Sequence, residues 1–303
     1  MTLPPGDGNK TITATVAEPA LALHQAVDHE IIGRVIDESA WVPDGVNQGL
    51  PSAARVYDFL LGGAHNFASD RMVGEKVLAV QPNGRQIAAS NRAFMGRAVR
   101  YMIGEGITQF LDLGSGIPTV GNVHEVAQKA NPGSRVVYVD YDEIAVSHSQ
   151  LMLAGNDNAT VVRGDFCEPG EVLETPEVRR LLDFSQPIGL LMVAVFHFVA
   201  DERDPAAIVA RYRDALAPGS LFALSHLTAD HAPEQMAGVV EAMKNSRDPM
   251  YFRSYDQIAA LFEGFDVVEP GVVSAPLWRP GAGIQEPVEG VYAGVARKGS
   301  AGR

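Results

Sequence analysis

The sequence contains very little cysteine and has more acidic than basic residues. Cys167 is the only cysteine in 303 residues, so the chain cannot form an intramolecular disulfide, which favours a reducing, cytoplasmic compartment. The 37 aspartate and glutamate residues outnumber the 24 lysine and arginine residues and give a net charge of −13. Because a negative surface repels phosphate backbones, we expect no nucleic-acid partner.

Long apolar runs are also absent. The longest one, Ile188 to Ala200, contains His197 and is shorter than the roughly 18 residues that indicate a membrane span. We therefore expect no membrane partner. Residues 1–28 lack the basic start and apolar stretch of a signal peptide, and we predict a disordered tail there.

The first structured part of the chain, residues 29–106, is predicted to be helical. Apolar residues recur at helical spacing after Pro51, and Gly62-Gly63 ends that helix. Two further helices are predicted at 69–80 and 90–104, the second with Ser90 as its N-cap.

Residues 107–303 alternate between strand and helix patterns, which predicts an α/β fold. The predicted strands are 110–113, 135–139, 159–163, 190–196, 221–225, 265–269 and 290–296. Helices are predicted at 122–130, 143–153, 205–216, 234–243 and 254–262. Buried strands separated by helices indicate a mostly parallel seven-stranded sheet, with the last two strands pairing antiparallel.

An acid and a glycine pair follow the first of these strands. Asp112 lies two residues before Gly114-Ser115-Gly116. Glycine there permits positive φ and lets a ligand approach the backbone. A dinucleotide-binding fingerprint requires a third glycine where Thr119 stands, so this pattern does not favour a nicotinamide-dependent oxidoreductase.

The pattern resembles the first motif of the Rossmann-like S-adenosylmethionine-dependent methyltransferases, an acid followed by Gly-x-Gly-x-Gly. Pro118 replaces the last glycine. The resemblance implies that Asp112 holds the methionine amino end of the cofactor, and that Gly114, Ser115 and Gly116 pass beside it. The implied cofactor is S-adenosylmethionine and the implied product S-adenosylhomocysteine.

Asp140 closes the second strand, 24 residues after Gly116. An acid at this position can accept hydrogen bonds from both hydroxyls of a ribose. This argument favours an adenosine group and does not by itself specify a methyl donor.

Further cofactor contacts are implied by the resemblance alone. Asp165 corresponds to the acceptor of the adenine amine, with Tyr141 and Phe166 as ring contacts. Val195 and Phe196, at the end of the fourth strand, would lie beneath the transferred methyl group.

The resemblance extends towards the N-terminus, to one branch of bacterial methyltransferase-like proteins. The matching stretches are 54–63, 66–67 and 91–94. They imply that the N-terminal helices form a lid over the cofactor. Tyr57, Gly63, Asn66 and Arg92 then become candidates for its outer wall, although Tyr57 and Arg92 could equally be structural.

His197 is a candidate general base, because it would lie at the carboxyl edge of the sheet. A histidine in an apolar run is, however, more often a hydrogen-bonded core residue. His124-Glu125 begins like a zinc-binding helix, but Gln128 stands where the second histidine is required, and we expect no metal.

The predicted function is an S-adenosylmethionine-dependent methyltransferase that acts on a small-molecule acceptor. Transfer from a sulfonium requires chiefly an in-line nucleophile, so the residues leave oxygen, nitrogen and carbon acceptors open. The alternative is a non-catalytic protein that binds S-adenosylmethionine or S-adenosylhomocysteine.

Overall fold

The computed structural model describes residues 46–118, 121–281 and 288–300. The predicted tail, 1–28, and the first part of the predicted lid, 29–45, lie outside the described residues. The helices are α1 Ala53–Leu60, α2 Ala68–Val80, α3 Gly84–Gly104, α4 Val123–Ala130, α5 Glu143–Met152, α6 Pro169–Glu174, α7 Pro176–Leu181, α8 Pro205–Ala215, α9 Pro233–Met243 and α10 Tyr255–Ala260. The strands are β1 Gln109–Leu113, β2 Arg135–Asp140, β3 Ala159–Arg163, β4 Gly189–Val193, β5 Leu221–Leu227, β6 Asp266–Val267, β7 Val273–Ser274 and β8 Val291–Arg297.

The strands form one mixed sheet in the order β3-β2-β1-β4-β5-β8-β6. The first five strands in this order are parallel, whereas β8 runs antiparallel to β5 and to β6. The short β7, which the sequence pattern does not predict, also pairs with β8. The predicted α/β class, the mostly parallel sheet and the antiparallel pairing of the last two predicted strands are confirmed.

The strand order positions the site. β1 pairs with β2 on one side and with β4 on the other, so the connections after β1 and β3 leave in opposite directions across the sheet. Ligands of open α/β sheets bind at the carboxyl ends of the strands where this reversal occurs. The first acid of the glycine motif, Asp112, lies at that point on β1.

The N-terminal helices are joined to each other by a buried acid. Ser52 caps α1 by accepting a hydrogen bond from the backbone N–H of Arg55. The carboxylate of Asp70 accepts from the backbone N–H groups of Ser52 and Phe67, at 3.1 and 2.8 Å, and from Arg55 Nε at 2.8 Å. The starts of α1 and α2 are thereby held together.

The apolar faces of α1 and α2 pack against α9. Their buried side chains form a cluster separate from the two clusters that cover the sheet. Its members are Val56, Val73, Val77, Met236, Val239, Met243 and Met250. No helix within the three described ranges is long and apolar enough to cross a membrane.

Two predicted boundaries are wrong. Helix α3 begins at Gly84, directly after the turn at Asn83, and it continues through Ser90, the residue predicted as its N-cap, which is buried. Strand β4 ends at Val193, because Ala194 adopts a positive φ of 56° that turns the chain out of the sheet.

Residues 196–198 therefore form a 3-10 turn instead of the end of a strand. The short helices α6 and α7 were not predicted. Each begins with proline at its first position, where the missing N–H costs nothing.

Candidate active site

A cavity of about 450 Å³ lies at the carboxyl ends of β1 to β4 and is covered by α1, α2, α3 and α9. It is within the usual size range of small-molecule sites. Most of the residues predicted from the sequence line it. They are Tyr57, Arg92, Asp112, Gly114, Ser115, Gly116, Asp140, Tyr141, Asp165, Phe166, Val195 and His197.

The cavity has two chemically different walls. The sheet-edge side consists of residues at or just after the carboxyl ends of β1, β2 and β3, including Asp112, Asp140 and Asp165. The side that faces α1, α2 and α9, called the helical side below, includes Val56, Leu60, Val77, Gln81, Met236, Val239, Met243 and Met250.

The glycine loop requires glycine for two different reasons. Gly114 and Gly116 have φ of 69° and 66°, a region that L-residues with side chains rarely adopt. A Cβ on Gly114 would come within 2.2 Å of Val195 Cγ2, whereas one on Gly116 would meet nothing within 4 Å. Backbone conformation alone explains Gly116, whereas both conformation and close packing explain Gly114.

Asp140 connects the glycine loop to the start of α5. Its Oδ2 accepts from Gly116 N at 2.7 Å and its Oδ1 from Asp142 N at 2.8 Å. Burial raises the pKa of Asp140 to about 6, and these two N–H groups partly oppose the shift. Each carboxylate oxygen accepts two hydrogen bonds, so both keep the capacity to bind a ligand hydroxyl.

Asp112 and Arg92 are opposite charges with unused hydrogen-bonding capacity. Burial raises the pKa of Asp112 to about 7, against the attraction of Arg92, and within the described ranges its carboxylate makes no hydrogen bond. Arg92 Nη2 donates to Asn122 Oδ1 at 2.7 Å, while its Nε is buried without a partner among the described residues, as is Ser115 Oγ.

Asp165 lies at the outer edge of the cavity. Its Oδ1 accepts from Cys167 N at 2.9 Å and its Oδ2 from Arg203 Nη1 at 3.0 Å. The side chain is 40% exposed. The first contact is a local turn, and Arg203 places a positive charge beside the predicted adenine acceptor.

A residue distant in sequence links the N-terminal helices to the end of β2. Tyr141 donates through its hydroxyl to Asp248 Oδ1, and Asp248 Oδ2 accepts from the backbone N–H of Ala53 at 2.6 Å. Arg55 Nη1 also contacts Asp142 Oδ2 at 3.3 Å. We call these contacts the α1 clasp; sequence reasoning identified Tyr141 but neither Asp248 nor Arg55.

Tyr57 connects α1 to α3. Its hydroxyl donates to the carbonyl of Ala88 and accepts from Asn91 Nδ2, both at 3.0 Å. Burial raises the pKa of Tyr57, so the phenol is neutral and its hydroxyl is already used. Its ring remains part of the cavity wall.

Three predicted residues do not line the cavity. Gly63 and Asn66 belong to a loop folded around Asp58, whose Oδ2 accepts from Asn66 Nδ2 at 2.8 Å; a Cβ on Gly63 would lie 2.0 Å from Asp58 Oδ1. Phe196 is fully buried and packs against Phe166, with 5.5 Å between ring centroids. Because it lies in the turn after β4, its ring points into the core.

His197 is buried but reaches the cavity. Burial and the nearby His226 and Arg253 hold its pKa well below the usual value, so the ring is neutral. Its Nδ1 accepts from the backbone N–H of Leu227 at 3.5 Å. A neutral imidazole with Nδ1 as acceptor carries its proton on Nε2, and the ring then offers a donor to the cavity.

The residues of the sheet-edge side fit S-adenosylmethionine. Asp112 is an unpaired carboxylate for an ammonium group, Arg92 retains an unpaired N–H, and Asp140 retains acceptor capacity for ribose hydroxyls. A mostly parallel sheet with acids at its strand ends and a helix-covered cavity at that edge is a Rossmann-like architecture, in which ligands bind beyond the carboxyl ends of the strands.

Comparison with known proteins identifies the family. A family model described as S-adenosyl methyltransferase matches residues 39–299. The chain is 38% identical to a DUF574 family protein from Streptomyces avermitilis, with 82% of this chain and 98% of that chain covered and a TM-score of 0.79. It is 39% identical to a candidate methyltransferase from Thermobifida fusca, with 86% and 100% covered and a TM-score of 0.80. No curated protein matches the sequence.

The chain belongs to the S-adenosyl methyltransferase family. It is an S-adenosylmethionine-dependent methyltransferase, and the predicted family and cofactor are confirmed. The roles of individual site residues, the acceptor and the domain boundaries remain predictions.

Proposed function

We propose that the protein transfers the methyl group of S-adenosylmethionine to a small-molecule acceptor bound in the same cavity. The observation that carries this proposal is the pair of contrasting walls: charged groups at the strand ends and apolar side chains from α1, α2 and α9. The charged wall suits the zwitterionic, hydroxylated cofactor, and the apolar wall suits the methyl acceptor.

The sheet-edge side would hold the cofactor. We assign the ammonium group of the cofactor to Asp112, its carboxylate to Arg92 and its ribose hydroxyls to Asp140. Each of these side chains has unused hydrogen-bonding capacity, and Asp112 and Arg92 carry the charge opposite to that of their ligand group. Asp165, Phe166 and Tyr141 would surround the adenine.

When bound, S-adenosylmethionine supplies an electrophilic methyl group, so the protein needs chiefly to orient the acceptor and exclude water. The α1 clasp holds the covering helices against the sheet. His197 would donate from Nε2 and orient an acceptor lone pair. A general-base role for His197, our prediction from the sequence, requires the opposite tautomer and protonation in surroundings that disfavour it.

The size of the cavity and the net charge of −13 favour a small acceptor over a nucleic acid. A cytoplasmic location, suggested by the single cysteine, is part of the same proposal.

The proposal is tested by incubating the full chain with methyl-labelled S-adenosylmethionine and a bacterial extract. The extract is first separated by size into a small-molecule fraction and a macromolecular fraction. We expect label in the small fraction, with S-adenosylhomocysteine formed in equal amount. Asp112→Asn should lower this labelling strongly by weakening cofactor binding, whereas Asp157→Asn, at an exposed acid, should leave it unchanged. Label confined to macromolecules would overturn the proposal, as would tight cofactor binding without any turnover.

A further inference from the structure

The helical side of the cavity is uncharged. Among the described residues that line the cavity, every Asp, Glu, Lys or Arg lies at the sheet edge or is bonded or attracted to a group there. Asp112, Asp140, Asp142 and Asp165 belong to the strand ends themselves. The others are Arg92, attracted to Asp112; Arg203, paired with Asp165; and Asp248, bonded to Tyr141.

This wall is also rich in flexible methionine side chains. Met236, Met243 and Met250 contribute three thioether side chains to it. Methionine is flexible and polarisable and packs well against flat or irregular apolar ligands. A charged group placed here would have no opposite charge beside it, and burying it would be costly.

Gln81 is a polar side chain among the apolar residues of this wall. Gln81 follows α2 and is only 5% exposed, yet its sole side-chain hydrogen bond among the described residues is a contact of 3.7 Å from Nε2 to the sulfur of Met236. Thioether sulfur is a weak acceptor. A nearly buried amide with such a partner has unused donor and acceptor capacity directed at the cavity it lines.

We infer that the methyl acceptor is an uncharged, mainly apolar small molecule that lies against α9 and is recognised through one polar group by Gln81. Gln81 is then a specificity-determining residue. This inference rests on the proposed function, since it concerns the acceptor part of the same cavity.

The test uses the full chain saturated with S-adenosylhomocysteine, which occupies the cofactor part, and three probes with the same ring system. They are 1-naphthol, neutral near pH 7, the anion 1-naphthoate and the cation 1-naphthylmethylammonium. Calorimetry should show 1-naphthol binding about tenfold or more tightly than either charged probe. If 1-naphthol binds no better than the charged probes, or does not bind, the inference fails, and this comparison requires no variant.

Two substitutions locate the probe. Gln81→Leu should weaken 1-naphthol binding by about 2- to 12-fold, while Gln235→Leu, at an exposed glutamine on α9, should leave it unchanged. Unchanged or tighter binding by Gln81→Leu would remove Gln81 from the site. Met236→Asp, or Met236→Gln if the first variant does not fold, should weaken 1-naphthol and leave S-adenosylhomocysteine binding nearly unchanged. If the wild-type protein does not bind S-adenosylhomocysteine at all, the proposed function itself is wrong.

Discussion

The two walls of the cavity differ in how their residues are connected. On the sheet-edge side, Asp140 and Gly116 are joined by a short hydrogen bond, and the glycine loop tolerates no side chain next to Val195. On the helical side, flexible apolar side chains pack with few polar contacts. We therefore expect the first wall to hold one ligand in one geometry, and the second to accept molecules of different shape.

The difference also explains why the cofactor could be inferred more easily than the acceptor. A rigid, hydrogen-bonded site leaves short local patterns such as acid-x-Gly-x-Gly. An apolar wall assembled from three helices uses residue types that any protein core contains. Substitutions on the two sides should therefore affect different ligands.

The largest effect on cofactor affinity is expected from Asp140→Ala. It should weaken S-adenosylmethionine binding by about 2–4 kcal/mol, because it removes hydrogen bonds to a charged acceptor and releases Gly116 N from its partner. Isothermal calorimetry measures this change. Asp157→Ala, at an exposed acid, serves as the control. Equal affinity of a folded Asp140→Ala protein would exclude Asp140 from the site.

Alanine substitutions in the glycine loop should separate conformation from packing. Gly116→Ala should lower the free energy of unfolding by about 1–2 kcal/mol, the cost of a left-handed alanine. Gly114→Ala should lower the free energy of unfolding by the same conformational cost and by about 1–3 kcal/mol more, because its Cβ meets Val195 Cγ2. Gly104→Ala, near the end of α3 with open space around it, is the control and should not destabilise. Equal losses at positions 114 and 116, measured by denaturant unfolding, would contradict the packing argument.

Cofactor affinity should depend on pH through Asp112. With its pKa raised to about 7, the free carboxyl is increasingly protonated below that pH and must lose a proton before it pairs with an ammonium group. Affinity should therefore fall by up to about tenfold per pH unit as pH decreases below 7.

Asp112→Asn should remove that step from the pH profile and leave the lower one, near 6, that belongs to Asp140. If the affinity of the wild-type protein is constant between about pH 5 and pH 8, no carboxyl with a raised pKa contacts the cofactor.

The smallest effect concerns the covering helices. If the α1 clasp closes over the cofactor, amide hydrogen exchange of Ala53–Leu60 should slow when S-adenosylhomocysteine is added. Helix α8, which contributes nothing to the cavity wall, should exchange at the same rate with and without ligand. An unchanged rate in α1 would make the helices a static cover.

The parts of the site predicted from the sequence are those encoded within a few residues. Asp112 and Asp140 follow β-branched or apolar runs that are recognisable as strands, and parallel strands bring their carboxyl ends together. Their place in the cavity follows from the fold class alone. The α/β class and the identity of the family follow from the same short patterns.

Contacts between distant residues could not be predicted in this way. The hydrogen bond from Ala53 to Asp248 spans 195 residues, and that from Gln81 to Met236 spans 155. No local pattern distinguishes Asp248 from other acids in loops or Gln81 from other glutamines. Both depend on how α9 and the loop after it pack against the N-terminal helices.

His197 shows a different limit. Its apolar run favours a strand, but the positive φ of Ala194 ends β4 four residues earlier than His197. The alternation of side chains along a strand therefore does not determine where the His197 side chain points. The hydrogen bond from Leu227 N, which selects the tautomer, depends on β5 and could not be read from the run itself.

The most direct test of the central claim is a crystal structure of the full chain with S-adenosylhomocysteine. We predict that the ribose hydroxyls lie within hydrogen-bonding distance of Asp140, that the amino group lies beside Asp112, and that the sulfur faces the space bounded by α9. Density for S-adenosylhomocysteine among Met236, Val239 and Met243, with Asp112 and Asp140 free of ligand contacts, would contradict the division of the cavity into a cofactor side and an acceptor side.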